Sequence, residues 1–278
     1  MTTRLHLSAL CAALCLSVTA CGGGSDDKPL PPVPRPMMLT ADNMLDAVGV
    51  AALAHERAHG DASQLLGAVF NNYVELTPAG TYPCAVSGTL TLTRPDPLRW
   101  HYAAQNCDTG AVLIKSGQLQ LDATQPAGQG LKLQFTDTLY RASATPAAAP
   151  QTVTGSLTVL INVADDLGKR STGSMTFTSN GRADIYTDIF IANKTSDAGF
   201  VQYGASLKTP RFAYELKTLF DQRSLALTLE AEDGSSITAT DLGSSIRLEL
   251  RASPGTEPTL SKTVSQSELD AARSRALQ

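Results

Sequence analysis

Between Pro83 and the C-terminus the apolar positions recur with a period of two. Leu90 and Leu92 alternate with threonines, and Leu119 and Leu121 with glutamines. The runs Leu131/Leu133/Phe135, Leu157/Val159/Ile161, Met175/Phe177, Phe212/Tyr214/Leu216, Leu225/Leu227/Leu229 and Ile246/Leu248/Leu250 repeat the pattern. Alternation buries one face of a strand and wets the other, which marks antiparallel rather than parallel pairing. Turn formers separate the runs at Asp108-Thr109-Gly110, Asn180-Gly181, Asp197-Ala198-Gly199 and Asp233-Gly234. The pattern predicts a mainly β fold, an antiparallel meander of about eleven strands forming a curved sheet or half-barrel. In one of these strands Leu98, Trp100 and Tyr102 should face the core, leaving Arg99 and His101 on the wet face.

Before this region the period is helical. Leu45, Val48, Ala52, His55 and His59 form one stripe, with Asp42, Asn43, Asp46 and Arg57 opposite. Thr40 can cap this helix and Gly60 can end it. Asp61-Ala-Ser-Gln64 then reads as the start of a second helix, from Ala62 to about Leu76. Two helices joined at Gly60-Asp61 predict an N-terminal helical hairpin or a sharp kink. Ser265-Gln-Ser-Glu268 is a capping box, so a short helix to about Ala276 should finish the chain.

Four segments echo one another: Ser87-Gly-Thr-Leu-Thr-Leu, Ser116-Gly-Gln-Leu-Gln-Leu, Thr154-Gly-Ser-Leu-Thr-Val and Thr172-Gly-Ser-Met-Thr-Phe. Their spacing is too irregular for a solenoid. The simplest reading is a glycine at the start of a strand, or at a bulge.

Residues 1–20 carry a basic start at Arg4 and an apolar run from Leu5 to Ala20, too short for a permanent span and fitting a secretory signal. The run ends in Val18-Thr19-Ala20-Cys21, which resembles a bacterial lipobox. The resemblance implies cleavage before Cys21 and acylation of that residue, palmitate-type chains included, which would anchor the protein stably. The alternative is an ordinary signal with a chance cysteine, since Cys11 and Cys15 lie in the same run. In Gram-negative lipoproteins an aspartate after the cysteine marks inner-membrane retention; Gly22 stands there and points to the outer membrane. Residues 21–39 are rich in Gly and Pro and read as a tether, holding a single domain, residues 40–278, off the bilayer.

Charged residues make up 17% of the chain and apolar ones 42%, which excludes both a disordered polyampholyte and a multispanning membrane protein. Removing Arg4 with the signal leaves 21 basic against 26 acidic groups, so no basic field exists to attract nucleic acid. With Cys21 lipidated, Cys84 and Cys107 remain as an even pair in an oxidising compartment and are expected to be bridged, with two buried free thiols as the alternative. Taken with Ser87-Gly88-Thr89, Asn106-Cys107 and Ser116-Gly117, the Cys84 region resembles a loose group of uncharacterised proteobacterial β-rich outer-membrane lipoproteins. That resemblance covers roughly the first half of the chain and implies a fold and an address, with no activity.

One motif could carry chemistry. His55-Glu56-Arg57-Ala58-His59 matches H-E-x-x-H, in which two histidines one turn apart bind zinc and the glutamate activates water. Zincin helices resemble one another in an uncharged residue after the glutamate, an apolar residue two places after the last histidine, and a third ligand. Here Arg57 and Asp61 fill the first two positions, and the third ligand could come only from Glu75 or His101. Neither is placed to reach, so packing histidines are the preferred reading and a zinc-dependent hydrolase using His55, Glu56 and His59 the alternative. No nucleophile elbow or phosphate loop appears. The expected function is a non-catalytic, lipid-anchored envelope lipoprotein binding an envelope partner, or else a carrier of a lipid or apolar ligand. These two separate on whether an apolar cavity of several hundred Å³ stays open beneath the helices.

Overall fold

The structure, a computed structural model, describes residues 38–62, 64–65, 67, 78–123, 130–142, 149–159, 168–194 and 197–278. The signal, Cys21 and nearly all of the tether therefore lie outside the described residues, as do Glu75 and the C-terminal part of the second expected helix. Helix α1 spans Met44–His55 and continues into a π-helical turn, Glu56–Asp61. Fourteen strands follow among the described residues: β1 Gly80–Pro83, β2 Ser87–Asp96, β3 Arg99–Asp108, β4 Val112–Asp122, β5 Leu131–Ala142, β6 Gln151–Val159, β7 Gly168–Ser179, β8 Arg182–Lys194, β9 Asp197–Lys208, β10 Leu216–Asp221, β11 Ala226–Ala231, β12 Ser236–Asp241, β13 Ser245–Arg251 and β14 Leu260–Ser265. Helix α2, Gln266–Leu277, ends the chain.

All fourteen strands belong to one antiparallel sheet in which spatial order is sequence order, with β1 and β14 as its two edges. The count exceeds eleven because β1, β12 and β14 are short and carry one or two apolar side chains each, too few to register as alternation. Where alternation is strong the faces are as expected, except that Leu98, expected in the core, is 49% exposed in the β2–β3 connection. Leu90, Leu92, Trp100, Tyr102, Leu119, Leu121, Leu133 and Phe135 are buried, Arg99 is exposed and His101 is half-buried on the opposite face.

Two assignments shift. Phe212 and Tyr214 lie in the β9–β10 connection rather than in a strand, because the Tyr214 hydroxyl turns to donate to the Met38 carbonyl at 2.8 Å. Asp197-Ala198-Gly199 opens β9, with Asp197 paired to Lys194 of β8, rather than forming the turn itself. The other turns form as their residues dictate. Asn180 and Gly181, at φ 52° and 75°, make the two-residue link between β7 and β8.

The Ser-Gly echo has a use that differs from its reading as a strand start. Only Gly88 lies near a strand start; Gly117, Gly155 and Gly173 sit in mid-strand, each at or beside a register shift. Gly117 and Gly155 have φ of 121° and 137°, and a Cβ on them would fall 2.8 Å from the Asp137 carbonyl oxygen and 2.7 Å from the Met175 Cα. Facing strands supply the complementary residues: Asn106, Asp137 and Asp188 take left-handed conformations, φ 44–51°, at bulges in β3, β5 and β8. Bulges bend a strand and increase its twist. This row, running from β2 to β8, is a crease across the sheet.

Cys84 and Cys107 lie at disulfide distance, with Cα atoms 5.4 Å apart, joining the segment before β2 to the end of β3. The helices cover the sheet's apolar face. α1 packs on β9, β11 and β12, and α2 packs across α1. Contact between the helices is closest at Gly49, where a Cβ would lie 2.8 Å from Ala272 Cβ. Burial on two sides explains why Met44, Ala47, Val48, Gly49, Val50, Ala51, Leu53 and Ala54 are all buried, a ring rather than the single stripe expected.

Asn43 rather than Thr40 occupies the N-cap position of α1, and its side chain makes no capping bond to the helix but ties down the segment before it. Asn43 Oδ1 accepts from the Thr40 amide at 2.8 Å, and its Nδ2 donates to the Met38 carbonyl at 2.8 Å. The adjoining Met38 and Leu39 amides donate to Asp233 and Ser235 of the β11–β12 turn. At the other end Gly60 and Asp61 do not reverse the chain: the backbone stays helical into Ala62, so no helical hairpin turns there. Ser265 caps α2 in the expected capping box with Glu268.

Candidate functional site

The helical segment crosses the sheet and meets it in two ways. At the π-helical turn, Arg57 points into the interior and is 1% exposed, the reverse of the solvent-facing position expected from the helical pattern. Arg57 Nε donates to Gln151 Oε1 on β6 at 2.7 Å, Nη1 pairs with Asp184 on β8 and donates to the Tyr186 hydroxyl at 3.4 Å, and the guanidinium lies 5.7 Å from the Phe177 ring centroid on β7. Burial opposes its charge, yet Tyr186 and Asp184 outweigh that and hold its pKa above the ordinary value. One turn on, Asp61 accepts from the Tyr140 hydroxyl on β5 at 2.6 Å. Desolvation pushes the Asp61 carboxyl up to about 6, against the hydrogen bond. A polar cleft of about 250 Å³ separates Asp61 and Gln151 from Asp270 and Arg273 of α2.

The two histidines sit between this network and a different environment. His55 and His59 have ring centroids 5.2 Å apart, and both pack on Tyr203 of β9, at 5.1 and 4.8 Å; His55 also lies 4.7 Å from Phe220 of β10. Desolvation lowers the pKa of His55, and lowers that of His59 to about 3. His59 Nδ1 is buried with no hydrogen-bond partner among the described residues. The space beside it is about 30 Å³.

Two of the three side chains of the motif, His55 and His59, lie together, and their neighbours among the described residues are aromatic rings. Among the described residues no three His, Cys, Asp or Glu side chains converge as metal ligands. His101 is paired across from Gln120 on β3–β4, far from the aromatic cluster, and Glu56 is paired with Arg273 of α2. Glu75 lies outside the described residues.

On the other side of His55 the interface between α1, α2 and the sheet opens into a cavity of about 390 Å³. Val48 and Ala52 of α1, Leu227, Ala239 and Ile246 of β11–β13, and Leu269 of α2 make its apolar wall. Phe220 and Leu225 complete it, and Glu56, Asp241, Gln266 and Arg273 supply the polar part of the lining. Small side chains create the room: Ala52 and Ala239 stand where a leucine would close it. Periodicity points Ala52 and Leu227 inward but gives no hint that a void remains there. That void depends on α2, whose contact with α1 spans the length of the chain.

No protein-family model, no curated protein and no solved structure matches this chain.

Proposed function

We propose that the protein is a lipid-anchored envelope lipoprotein, held at the outer membrane through Cys21, whose domain works by non-covalent binding of an apolar ligand. The observation that carries the binding half is the cavity of about 390 Å³ walled by Val48, Ala52, Leu227, Ala239, Ile246 and Leu269. Its size falls within the usual range of small-molecule pockets, and its mixture of apolar wall and few polar groups is the usual composition. A purely structural role gives no reason to keep such a space, since filling it would add stability. The address rests on the sequence: the apolar run, Cys21 at its exit and the Gly/Pro-rich stretch after it. The resemblance to β-rich outer-membrane lipoproteins agrees with that address.

A hydrophobic fluorophore such as N-phenyl-1-naphthylamine tests the binding. Saturable fluorescence gain with the full-length Cys21→Ser chain, abolished by Ala239→Leu, is expected; absence of saturable binding overturns the reading. Labelling with a fatty-acid probe tests the anchor, and should vanish in Cys21→Ser.

A further inference from the structure

The polar groups lining the cavity carry a sign. Burial lowers the pKa of His55, so its ring adds no charge at neutral pH. Arg273 is already engaged: it pairs with Glu56 and, at 3.3 Å, with Asp270. Asp241 is exposed at the end of β12; its Oδ1 accepts from the Gly243 amide at 2.7 Å, and no cation pairs with it among the described residues. One arginine thus faces three carboxylates, of which two line the cavity directly. Aromatic surface from Phe220 lies in the same lining, and ring faces attract cations.

Leu225 adds an independent observation. It is 48% exposed and sits at φ 49°, a conformation that branched L-residues avoid. A turn of this kind ordinarily places Gly or Asn there. The chain instead presents a large, half-exposed apolar side chain in the cavity lining.

We infer that the cavity takes a cationic amphiphile: one apolar chain between α1, α2 and β10–β13, with an amine or quaternary ammonium head against Asp241 and Glu56. The inference rests on the reading of this cavity as the binding site. An anionic head would meet Asp241 and Glu56 with its own charge, while the one cation present is held by two carboxylates.

Three probes with the same dodecyl tail separate the possibilities: dodecyltrimethylammonium, dodecyl maltoside and dodecanoate, titrated below micelle-forming concentration into the full-length Cys21→Ser protein by calorimetry. Dodecyltrimethylammonium should bind about fivefold tighter than the maltoside, the scale of one or two exposed charge pairs, and dodecanoate weakest. High salt should narrow the gap, and Asp241→Asn, which still accepts from Gly243, should bring the ratio of cationic to neutral affinity towards one. Dodecanoate binding as tightly as dodecyltrimethylammonium, or a ratio untouched by Asp241→Asn, overturns the head-group assignment and leaves the apolar cavity standing. Binding of none of the three overturns the cavity reading itself.

Discussion

Along α1 and the π-helical turn the same stretch of backbone lies on the same sheet, yet its two halves solve burial differently. Over β5–β8 the interface is polar: Arg57 meets Asp184, Gln151 and Tyr186 while its Nη2 is buried with no partner among the described residues, and Asp61 meets Tyr140. Over β10–β13 it is apolar and leaves a cavity of about 390 Å³. Removing a partner from a buried charge is costly, because the group left behind keeps its desolvation without the compensating bond. An apolar wall loses only dispersion when it is left open. The polar half therefore holds the helix in register, and the apolar half is where space can be kept for a ligand.

Removing one member of the polar half should have the largest effect. Arg57→Met leaves Asp184 and Gln151 facing a buried apolar group and should cost about 3–5 kcal/mol in urea unfolding. The double variant Arg57→Met/Asp184→Leu should recover much of it; a single variant within 1 kcal/mol of wild type would mean that the network does not hold the helix. Gly49→Val comes next, since a side chain there collides with Ala272 and must push α2 from α1. The expected loss is about 1–3 kcal/mol, together with loss of fluorophore binding, because α2 supplies one wall of the cavity.

Acid should act on the two kinds of buried group in opposite directions. His59 has its pKa lowered from 6.5 to about 3, so the fold binds its neutral form and loses stability as pH falls below 6.5. Asp61 has its pKa raised from 3.8 to about 6, so its ionised form costs stability above 6 and that cost is relieved between 6 and 3.8. In the wild type the Asp61 gain offsets part of the histidine loss, to which His55, also lowered by burial, adds. Asp61→Asn should expose the histidine loss, steepening the decline on acidification by about 1.4 kcal/mol per pH unit, and His59→Gln should reverse the slope. Parallel pH profiles for all three proteins would contradict these assignments.

The smallest effect belongs to the cavity. Ala52→Leu should leave stability unchanged or raise it by about 0.5–1 kcal/mol while removing fluorophore binding. A marked destabilisation would mean that the space is not open.

The sheet was legible wherever alternation was strong: Leu90/Leu92 and Trp100/Tyr102 take the faces their spacing gave them, and the Ser265–Glu268 box starts α2 where it should. What escaped was long-range. Arg57 reads as solvent-facing on the helical pattern, and its partner Asp184, more than a hundred residues away, leaves no local signal that it turns inward. His55 and His59 were visible as a motif, but the Tyr203 and Phe220 rings that they pack against carry no local signal. Gly117 and Gly155 were visible as an echo, yet their role at a crease depends on strands that face them. The cavity was least legible of all, because a void is a property of three elements at once.

In-order pairing has a kinetic consequence. Every strand bonds only to its neighbours in the chain, so each hairpin closes a short loop and the sheet can grow by successive addition, which favours fast assembly. The long-range contacts belong to the N-terminal segment, which packs on β9, β11 and β12 and is clasped by α2, where Arg275 reaches Asp46 at 2.6 Å and Arg273 reaches Glu56 across almost the whole sequence. That long-range closure should be the last step, completed only after the C-terminus has emerged into the compartment where the protein folds, and the binding cavity should come into being with it.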